Sequence, residues 1–173
     1  MSASLAGRTG PKRKPRCLAA ALGDVLKRRG MMLATAESCT GGLVGDTLTN
    51  VPGSSEWYLG GVVAYANALK SGLLGVTRET LRRSGAVSAQ TAGEMARGVC
   101  DRLGADVGLA VSGIAGPGRG SPRKPVGLVY LAVCLAGKLR TKKCSFEGSR
   151  RAIKQAAAAE ALSFCLGLAR GGS

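Results

Sequence analysis

Hydrophobic residues along this chain follow two patterns, one with helical spacing and one in short continuous runs. Apolar residues three and four positions apart predict a helix over residues 17–29, and Gly30 behind a basic turn is a typical helix stop. Short apolar or β-branched runs predict five strands. These strands cover residues 31–36, 57–66, 107–111, 126–136 and 139–146.

Helical segments separate most of these strands. Helical spacing returns over residues 43–51 and through Leu69 and Leu73, and Thr77, Ser88 and Ser149 are plausible N-caps of three further helices. The last two strands are joined at Gly137-Lys138 in a hairpin-type connection. Strands that alternate with helices, followed by a hairpin and a closing helix, predict an α/β domain with a mixed sheet covered on both faces.

Two of the predicted strands end in loops of glycine and small residues, at positions 35–42 and 112–118. Ligands of α/β sheets bind at the carboxyl ends of strands, so these loops are the first candidates for a site. In the first loop Ser38 precedes a predicted helix N-terminus, where the N–H groups of Thr40, Gly41 and Gly42 favour an anion or a developing oxyanion. The alternative is that a hydroxyl caps the helix and the glycines only turn the chain.

Composition restricts the chemistry, because the 173 residues include no histidine. A general base must therefore come from Lys, Tyr, Asp, Glu or Cys. A serine nucleophile without histidine needs a lysine with a lowered pKa, and Lys70, in an apolar helical turn, is the natural candidate. The alternative is a surface lysine whose stem packs on apolar neighbours.

The net charge of +15 is concentrated at the two ends of the chain. Residues 1–30 hold eight Lys and Arg against one acidic residue, and residues 138–173 hold eight against two. Residues 1–16 lack an apolar period and are predicted to be a disordered basic arm, whereas residues 17–173 form the folded domain. We expect weak, nonspecific binding of polyanions through the arm. The six cysteines have no C-x-x-C spacing and are expected to be reduced thiols.

Seven short blocks stand in order along the chain: T-A-E-S-C-T-G-G at 35–42, G-S-S at 53–55, V-A-Y-A-N-x-x-K at 63–70, G-A-V-S at 85–88, S-G-I-A-G-P at 112–117, K-P-V-G at 124–127 and F-x-G-S-R at 146–150. Together they resemble the CinA C-terminal domain family over about residues 17–168. The resemblance implies a three-layer α/β/α sandwich with a mixed, about five-stranded sheet. It also implies a nicotinamide-nucleotide amidohydrolase that makes nicotinate mononucleotide and ammonia in pyridine nucleotide salvage, with no cofactor and no metal.

The same resemblance implies the residues of the site. Ser38 is the expected nucleophile, Lys70 and Tyr65 are the expected base and its partner, and either of the two could take the proton. Ser112 occupies a hydroxyl position of the family. Arg150, in the first turn of the last helix, is expected to meet the 5′-phosphate of the substrate bidentately.

One segment departs from the family, because residues 118–124 are basic where relatives often carry acidic residues. This departure puts substrate affinity in doubt; the alternative is a loop that varies on a solvated surface. We expect the stand-alone form of the domain, in the cytoplasm, as a homo-oligomer. The longest apolar stretch has eleven residues, short of the roughly 18–20 of a membrane span, so no membrane partner is expected.

The rival hypothesis is a catalytically idle protein related to competence or DNA damage that binds nucleic acid through its basic ends. Aromatic residues able to stack on bases make up only 3% of the chain. Such binding would therefore be electrostatic and steeply salt-dependent.

Overall fold

A computed structural model describes residues 14–118 and 120–171 of the chain. The helices are α1 (Pro15–Arg29), α2 (Leu43–Thr49), α3 (Asn67–Leu74), α4 (Arg78–Ser84), α5 (Ala89–Leu103) and α6 (Arg150–Ala169). The strands are β1 (Leu33–Glu37), β2 (Tyr58–Val63), β3 (Val107–Gly113), β4 (Leu128–Leu135) and β5 (Lys138–Ser145), and a short 3₁₀ helix covers Ser54–Glu56. All five predicted strands are therefore confirmed, with ends shifted by a few residues.

The strands form one sheet in the order β2-β1-β3-β4-β5. β1 runs parallel to both β2 and β3, with Glu37 beside Val63 and Val111. β4 is antiparallel to β3, and β5 is antiparallel to β4. The predicted mixed sheet is confirmed, and because β1 and β3 are parallel neighbours, the loops that follow them reach the same edge.

Helices cover both faces of the sheet and make the three-layer α/β/α arrangement that the family resemblance implies. On one face α1, α2 and α6 enclose a core that includes Leu22, Leu109 and Leu162. On the other face α3, α4 and α5 pack around Leu74 and Met95. Burial of these apolar side chains on both faces is what stabilises the sheet between its two helical layers.

Two glycines allow α3, α5 and the sheet to approach one another closely. A Cβ on Gly98 would lie 1.8 Å from the carbonyl oxygen of Leu74, at the end of α3. A Cβ on Gly108 in β3 would lie 2.1 Å from the carbonyl oxygen of Ala96 in α5. Neither distance is compatible with a side chain, so glycine is required at both positions. This close packing fixes the distance between the sheet and α3, the helix that carries Lys70.

The first helix begins earlier than the sequence predicts. α1 starts at Pro15, with Lys14 at the N-cap position, so Pro15 and Arg16 are helical and do not belong to a disordered arm. The physical reason is that proline suits the first turn of a helix, where its missing N–H has no partner to lose. Residues 1–13 of the predicted arm lie outside the described residues.

The predicted helix caps are confirmed. The side chains of Thr77, Ser88 and Ser149 each accept a hydrogen bond from the N–H three residues further on. The hairpin turn lies at Ala136 and Gly137, one residue before the predicted position. Both residues have positive φ, 49° and 76°, as a two-residue type I′ turn requires.

α6 is long and apolar enough to cross a membrane by length and composition alone. Eight of its residues, among them Ile153 and Leu162, are buried inside the domain. The helix packs against α1 and the sheet as a core helix, and its first turn points Arg150 toward the edge where β1 and β3 end.

Candidate active site

A cavity of about 360 Å³ lies at the edge of the sheet where β1 and β3 end. The loop after β1, the segment from β2 into α3 and the loop after β3 supply most of its wall. Its lining includes Ser38, Cys39, Tyr65, Asn67, Lys70, Ser112, Gly113, Ile114, Ala115, Gly116, Lys124 and Arg150. The predicted position of the site, at the carboxyl ends of these strands, agrees with this cavity.

Ser38 and Lys70 meet inside the cavity. Ser38 follows β1 directly, and its N–H donates to the carbonyl of Val111 in β3 at 2.9 Å, which ties the loop to the sheet. Lys70 is the fourth residue of α3, and only 1% of it is exposed. Its Nζ donates to Ser38 Oγ at 3.1 Å. The structure thus brings two residues 32 positions apart into hydrogen-bond contact.

Two main-chain carbonyls hold the other side of the Lys70 amine. Nζ donates to the carbonyl oxygens of Ala64 at 2.8 Å and Tyr65 at 3.0 Å. Burial lowers the pKa of Lys70, and the nearby Cys39 opposes that shift. A neutral amine has two N–H bonds and one lone pair. If the two carbonyls take the N–H bonds, the lone pair faces Ser38 Oγ, which is the geometry of a base about to accept the hydroxyl proton.

A buried carboxylate fixes the loop that carries Ser38. Glu37 is 2% exposed, and its Oε2 accepts from the N–H groups of Gly42 at 3.0 Å and Val44 at 3.1 Å. Its Oε1 accepts from the N–H of Gly45 at 2.8 Å. Charge-assisted bonds of this kind are stronger than neutral ones, and here they occupy the first N–H groups of α2.

The structure uses two of the three predicted oxyanion donors, Thr40, Gly41 and Gly42, for hydrogen bonds inside the chain. None of the three lines the cavity. The N–H of Gly42 donates to Glu37, and the N–H of Gly41 donates to the carbonyl of Ser38 at 3.1 Å. The Thr40 hydroxyl is buried and has no partner among the described residues. Glu37 and the Ser38 carbonyl therefore take the Gly42 and Gly41 N–H groups that the prediction assigned to an oxyanion, whereas the N–H of Thr40 has no acceptor among the described residues.

Tyr65 lies on the cavity wall, but its phenol points away from the Ser38–Lys70 pair. The side chain is exposed, and Arg150 Nη2 donates to its hydroxyl at 2.9 Å. No hydrogen bond joins the phenol to Ser38 or Lys70 among the described residues. The predicted proton relay through the phenol is therefore absent from this structure, and Tyr65 contacts Lys70 through its main-chain carbonyl instead.

Arg150 reaches the cavity from the first turn of α6, as predicted. One arm of its guanidinium donates to the carbonyl of Gly116 in the loop after β3, and the other donates to Tyr65. These two contacts aim the side chain at the cavity and leave further N–H donors for a ligand. The arrangement suits an anion, although the two protein contacts occupy donors that a bidentate pair would use.

Ser112 and Cys39 also line the cavity, and neither is arranged as a nucleophile. The Ser112 hydroxyl donates to the carbonyl of Ala86 at 2.6 Å, so it joins β3 to the segment before α5. Burial raises the pKa of the Cys39 thiol to about 11. The thiol therefore stays protonated near neutral pH, and Ser38 remains the candidate nucleophile.

Sequence reasoning did not assign Asn67 or Lys124 to the site, and it missed the role of Glu37. Asn67 and Lys124 both line the cavity, and Lys124 Nζ donates to the carbonyl of Ser84 at 2.6 Å. Both stand inside blocks that carry the family resemblance, which was the available signal. Among the described lining residues, Lys124 and Arg150 are cationic, Lys70 is a further basic residue, and none is acidic. The cavity therefore favours an anionic ligand.

No group of three or more His, Cys, Asp or Glu side chains able to hold a metal ion occurs within residues 14–118 and 120–171.

Comparison with known proteins agrees with this architecture. The model of the family described as CinA C-terminal domain matches residues 16–168. A CinA-like protein of Kosmotoga olearia is 48% identical over 141 residues, which are 82% of this chain and 34% of that protein. This chain spans about a third of the length of the curated relatives that it matches.

Solved structures show the same fold over nearly the whole chain. The competence/damage inducible protein CihA of Agrobacterium tumefaciens is 41% identical, with a TM-score of 0.87, and the match covers 94% of this chain and 99% of that one. A competence-damaged protein (CinA) superfamily protein of Enterobacter cloacae is 33% identical, with a TM-score of 0.88, over 98% of this chain and 99% of that one.

Proposed function

This chain belongs to the CinA C-terminal domain family, and from that premise we propose that it hydrolyses the carboxamide of nicotinamide mononucleotide to nicotinate mononucleotide and ammonia. The observation that carries the proposal is the buried Lys70 amine 3.1 Å from Ser38 Oγ. The names of the two solved relatives refer to competence and damage, the Kosmotoga olearia protein is named only CinA-like, and none of these names states a reaction. Support for the reaction therefore comes from the cavity and from the family resemblance of its residues.

The first step is attack by Ser38. Burial lowers the pKa of Lys70 and so favours its neutral form, which accepts the hydroxyl proton as Oγ attacks the carboxamide carbon. The resulting Lys70 ammonium gives its proton to the amide nitrogen, the C–N bond breaks, and ammonia leaves. An ester between Ser38 and the nicotinoyl group remains. The carbonyls of Ala64 and Tyr65 stabilise the ammonium while it exists.

The second step repeats the first with water. Lys70, neutral again, takes a proton from a water molecule that attacks the ester carbon, and returns it to Ser38 Oγ as the C–O bond breaks. The products are the carboxylic acid, which releases its proton to solvent and becomes the carboxylate, and the original serine, so atoms and protons balance over the cycle.

Substrate oxygens need hydrogen-bond donors that the protein does not already use. The N–H groups of Ala115 and Gly116, in the loop after β3, and of Cys39, directly after Ser38, lie on the cavity wall and have no acceptor among the described residues, unlike the N–H groups of Gly41 and Gly42. We therefore assign the donors for substrate to these three N–H groups. Preformed donors of this kind stabilise charge that develops in a transition state.

The phosphate of the proposed substrate suits the cationic wall. Arg150 and Lys124 stand on the cavity wall, and a mononucleotide carries its negative charge on one phosphate at the end opposite its carboxamide. Placing the phosphate on Arg150 leaves the carboxamide for the Ser38 side. A guanidinium with free N–H donors is well suited to phosphate oxygens.

A direct assay tests the proposal. Purified protein is incubated with nicotinamide mononucleotide, and ammonia and nicotinate mononucleotide are both measured, with Ser38→Ala as the matched blank. Equal amounts of the two products are expected, also in the presence of EDTA. Absence of both products with a well-folded protein would contradict the proposal and leave salt-dependent nucleic-acid binding as the next activity to measure.

A further inference from the structure

A second groove, of about 450 Å³, lies beside the active-site cavity and is strongly cationic. Leu43 at the start of α2 and Arg150, Arg151, Lys154 and Gln155 on α6 line it. Three of these five residues are cationic and none is acidic. Arg150 lines both the groove and the active-site cavity, so the two are continuous through its side chain.

Two of the three cations in the groove have no partner among the described residues. Arg151 and Lys154 form no ion pair and no side-chain hydrogen bond with the described residues. The acidic residue of α6, Glu160, instead pairs with Lys142 of β5 at 2.6 Å, away from the groove. Lys154 is moreover half-buried, which raises the cost of leaving its charge uncompensated.

Packing these cations together works against the helix that carries them. Lys154 is three positions from Arg151 and four from Arg150, the spacings at which side chains on a helix are neighbours. Like charges at these spacings repel, and cations in the first turns also oppose the helix dipole. The arrangement therefore does not stabilise α6, and an anion bound between the side chains would relieve the repulsion.

Lys154 also links the groove to the Ser38 loop. Its Nζ lies 3.5 Å from the point that a Cβ on Gly41 would occupy. The amine thus stands beside the loop that carries the nucleophile, without lining the active-site cavity itself. An anion held by Lys154 and Arg151 would lie next to whatever Arg150 binds.

We propose that this groove binds a second phosphate, so that the site as a whole recognises a diphosphate group across Arg150, Arg151 and Lys154. The inference rests on the proposed function only for the position of the first phosphate on Arg150. Guanidinium and ammonium groups around one space are the usual protein ligands of adjacent phosphates. The ligand class is therefore a nucleotide with a diphosphate, either terminal or internal.

Calorimetric titration with inorganic pyrophosphate and with inorganic phosphate tests the groove without any turnover. We expect pyrophosphate to bind at least about tenfold more tightly than phosphate at low ionic strength. The double variant R151A/K154A is expected to bring the two affinities within about threefold, mainly by weakening pyrophosphate. R97A/K143A removes two exposed cations elsewhere and is the matched control for net charge.

The outcomes distinguish a specific pyrophosphate site in the groove from nonspecific attraction of anions by the positive net charge. An unchanged preference for pyrophosphate in R151A/K154A, or an equal loss in R97A/K143A, would overturn the proposal. Because no reaction is measured, failure of amide hydrolysis leaves this result unaffected, so the two proposals fail independently.

Nucleotide titrations then distinguish the two sources of a diphosphate. In the Ser38→Ala background, which prevents turnover, ADP is compared with AMP, and nicotinamide adenine dinucleotide is compared with nicotinamide mononucleotide. Tighter binding only of ADP over AMP indicates a terminal diphosphate. Tighter binding of the dinucleotide over the mononucleotide indicates an internal one. No gain in either pair would contradict the proposal even if pyrophosphate binds.

Discussion

The loops after β1 and β3 look alike in sequence and differ in how they use their main chain. Both are rich in glycine and small residues, and both leave parallel strands at the same edge of the sheet. In the first loop the N–H groups of Gly41 and Gly42 are bonded inside the chain, the latter to Glu37. In the second, Ala115 and Gly116 keep N–H groups without an acceptor in the part of the chain that the structure describes.

This difference separates the two tasks of the site. A loop held by a buried carboxylate keeps Ser38 at a set distance from Lys70, which chemistry requires. A loop with unused donors, and with the Gly116 carbonyl on Arg150, is suited to holding a ligand. Changes in the first loop and at Lys70 should therefore act on the turnover number, and changes around the second loop should act on substrate affinity.

The largest effect is expected from the residues that the first loop positions. Ser38→Ala and Lys70→Met should each lower kcat by about a thousandfold or more, because each removes the same proton-transfer step. The double variant should be little worse than either. Methionine fills the space of the buried lysine without its charge, so Lys70→Met is expected to fold.

Steady-state assays of ammonia release measure these losses, and thermal denaturation checks that the variants are folded. Ser55→Ala, at an exposed serine, is the matched control and should keep wild-type turnover. Additive losses in the double variant would show that Ser38 and Lys70 do not act in one step.

The pH profile sharpens the role of Lys70. The neutral amine is the active form, so kcat/KM should rise about tenfold per pH unit below the pKa of the free enzyme and level off above it. That pKa should lie below the ordinary lysine value, because burial disfavours the charged form. A rate that falls as pH rises through neutrality would contradict a lysine base.

On the binding side, Arg150→Ala should discriminate between substrates. If the guanidinium holds the phosphate, kcat/KM for nicotinamide mononucleotide should fall about 10–100-fold, the range for a hydrogen bond to a charged group. Nicotinamide riboside, which has no phosphate, should lose much less. Arg150→Lys should recover part of the loss, since a compact ammonium restores the charge but not the planar set of N–H donors.

Kinetics with both substrates measure this selectivity, with Arg97→Ala as a control at an exposed arginine. Equal losses on the two substrates would mean that Arg150 acts through its contacts with Gly116 and Tyr65.

A smaller effect is expected from loosening the first loop. Glu37→Gln replaces two acceptor oxygens by one and faces an amide N–H₂ toward main-chain N–H groups, so the free energy of unfolding should fall by about 1–3 kcal/mol. We expect kcat to fall about tenfold, because Ser38 is then held less firmly. KM should change little. Urea denaturation and kinetics measure these quantities, and Glu56→Gln, at an exposed glutamate, should leave both unchanged.

The smallest effect is expected at Ser112. Its hydroxyl bonds to the Ala86 carbonyl, so Ser112→Ala should lower the free energy of unfolding by about 0.5–1.5 kcal/mol and leave kcat nearly unchanged. Urea denaturation and kinetics check both values. A large fall in kcat would show that the second loop takes part in the chemistry. It would contradict the assignment of turnover to the first loop and of substrate affinity to the second.

Much of the architecture could be predicted from the sequence because it depends on local patterns. Apolar runs located all five strands, and Thr77, Ser88 and Ser149 cap helices where expected, since a cap needs only its own next turn. The early start of α1 at Pro15 was missed because charge and the lack of an apolar period outweighed a proline signal at the boundary.

The absence of histidine, the serine at a strand end, the apolar turn around Lys70 and the family blocks were sufficient to select a serine–lysine pair. Only the tertiary structure decided which atoms meet. It placed the Tyr65 phenol on Arg150, gave the first N–H groups of α2 to Glu37, and brought Lys124 to the cavity and Lys154 to the groove beside it. The physical reason is that a hydrogen bond depends on distances of about 3 Å between groups far apart in the chain. Periodicity indicates which face of an element is buried, but it does not determine which partner a polar group finds there.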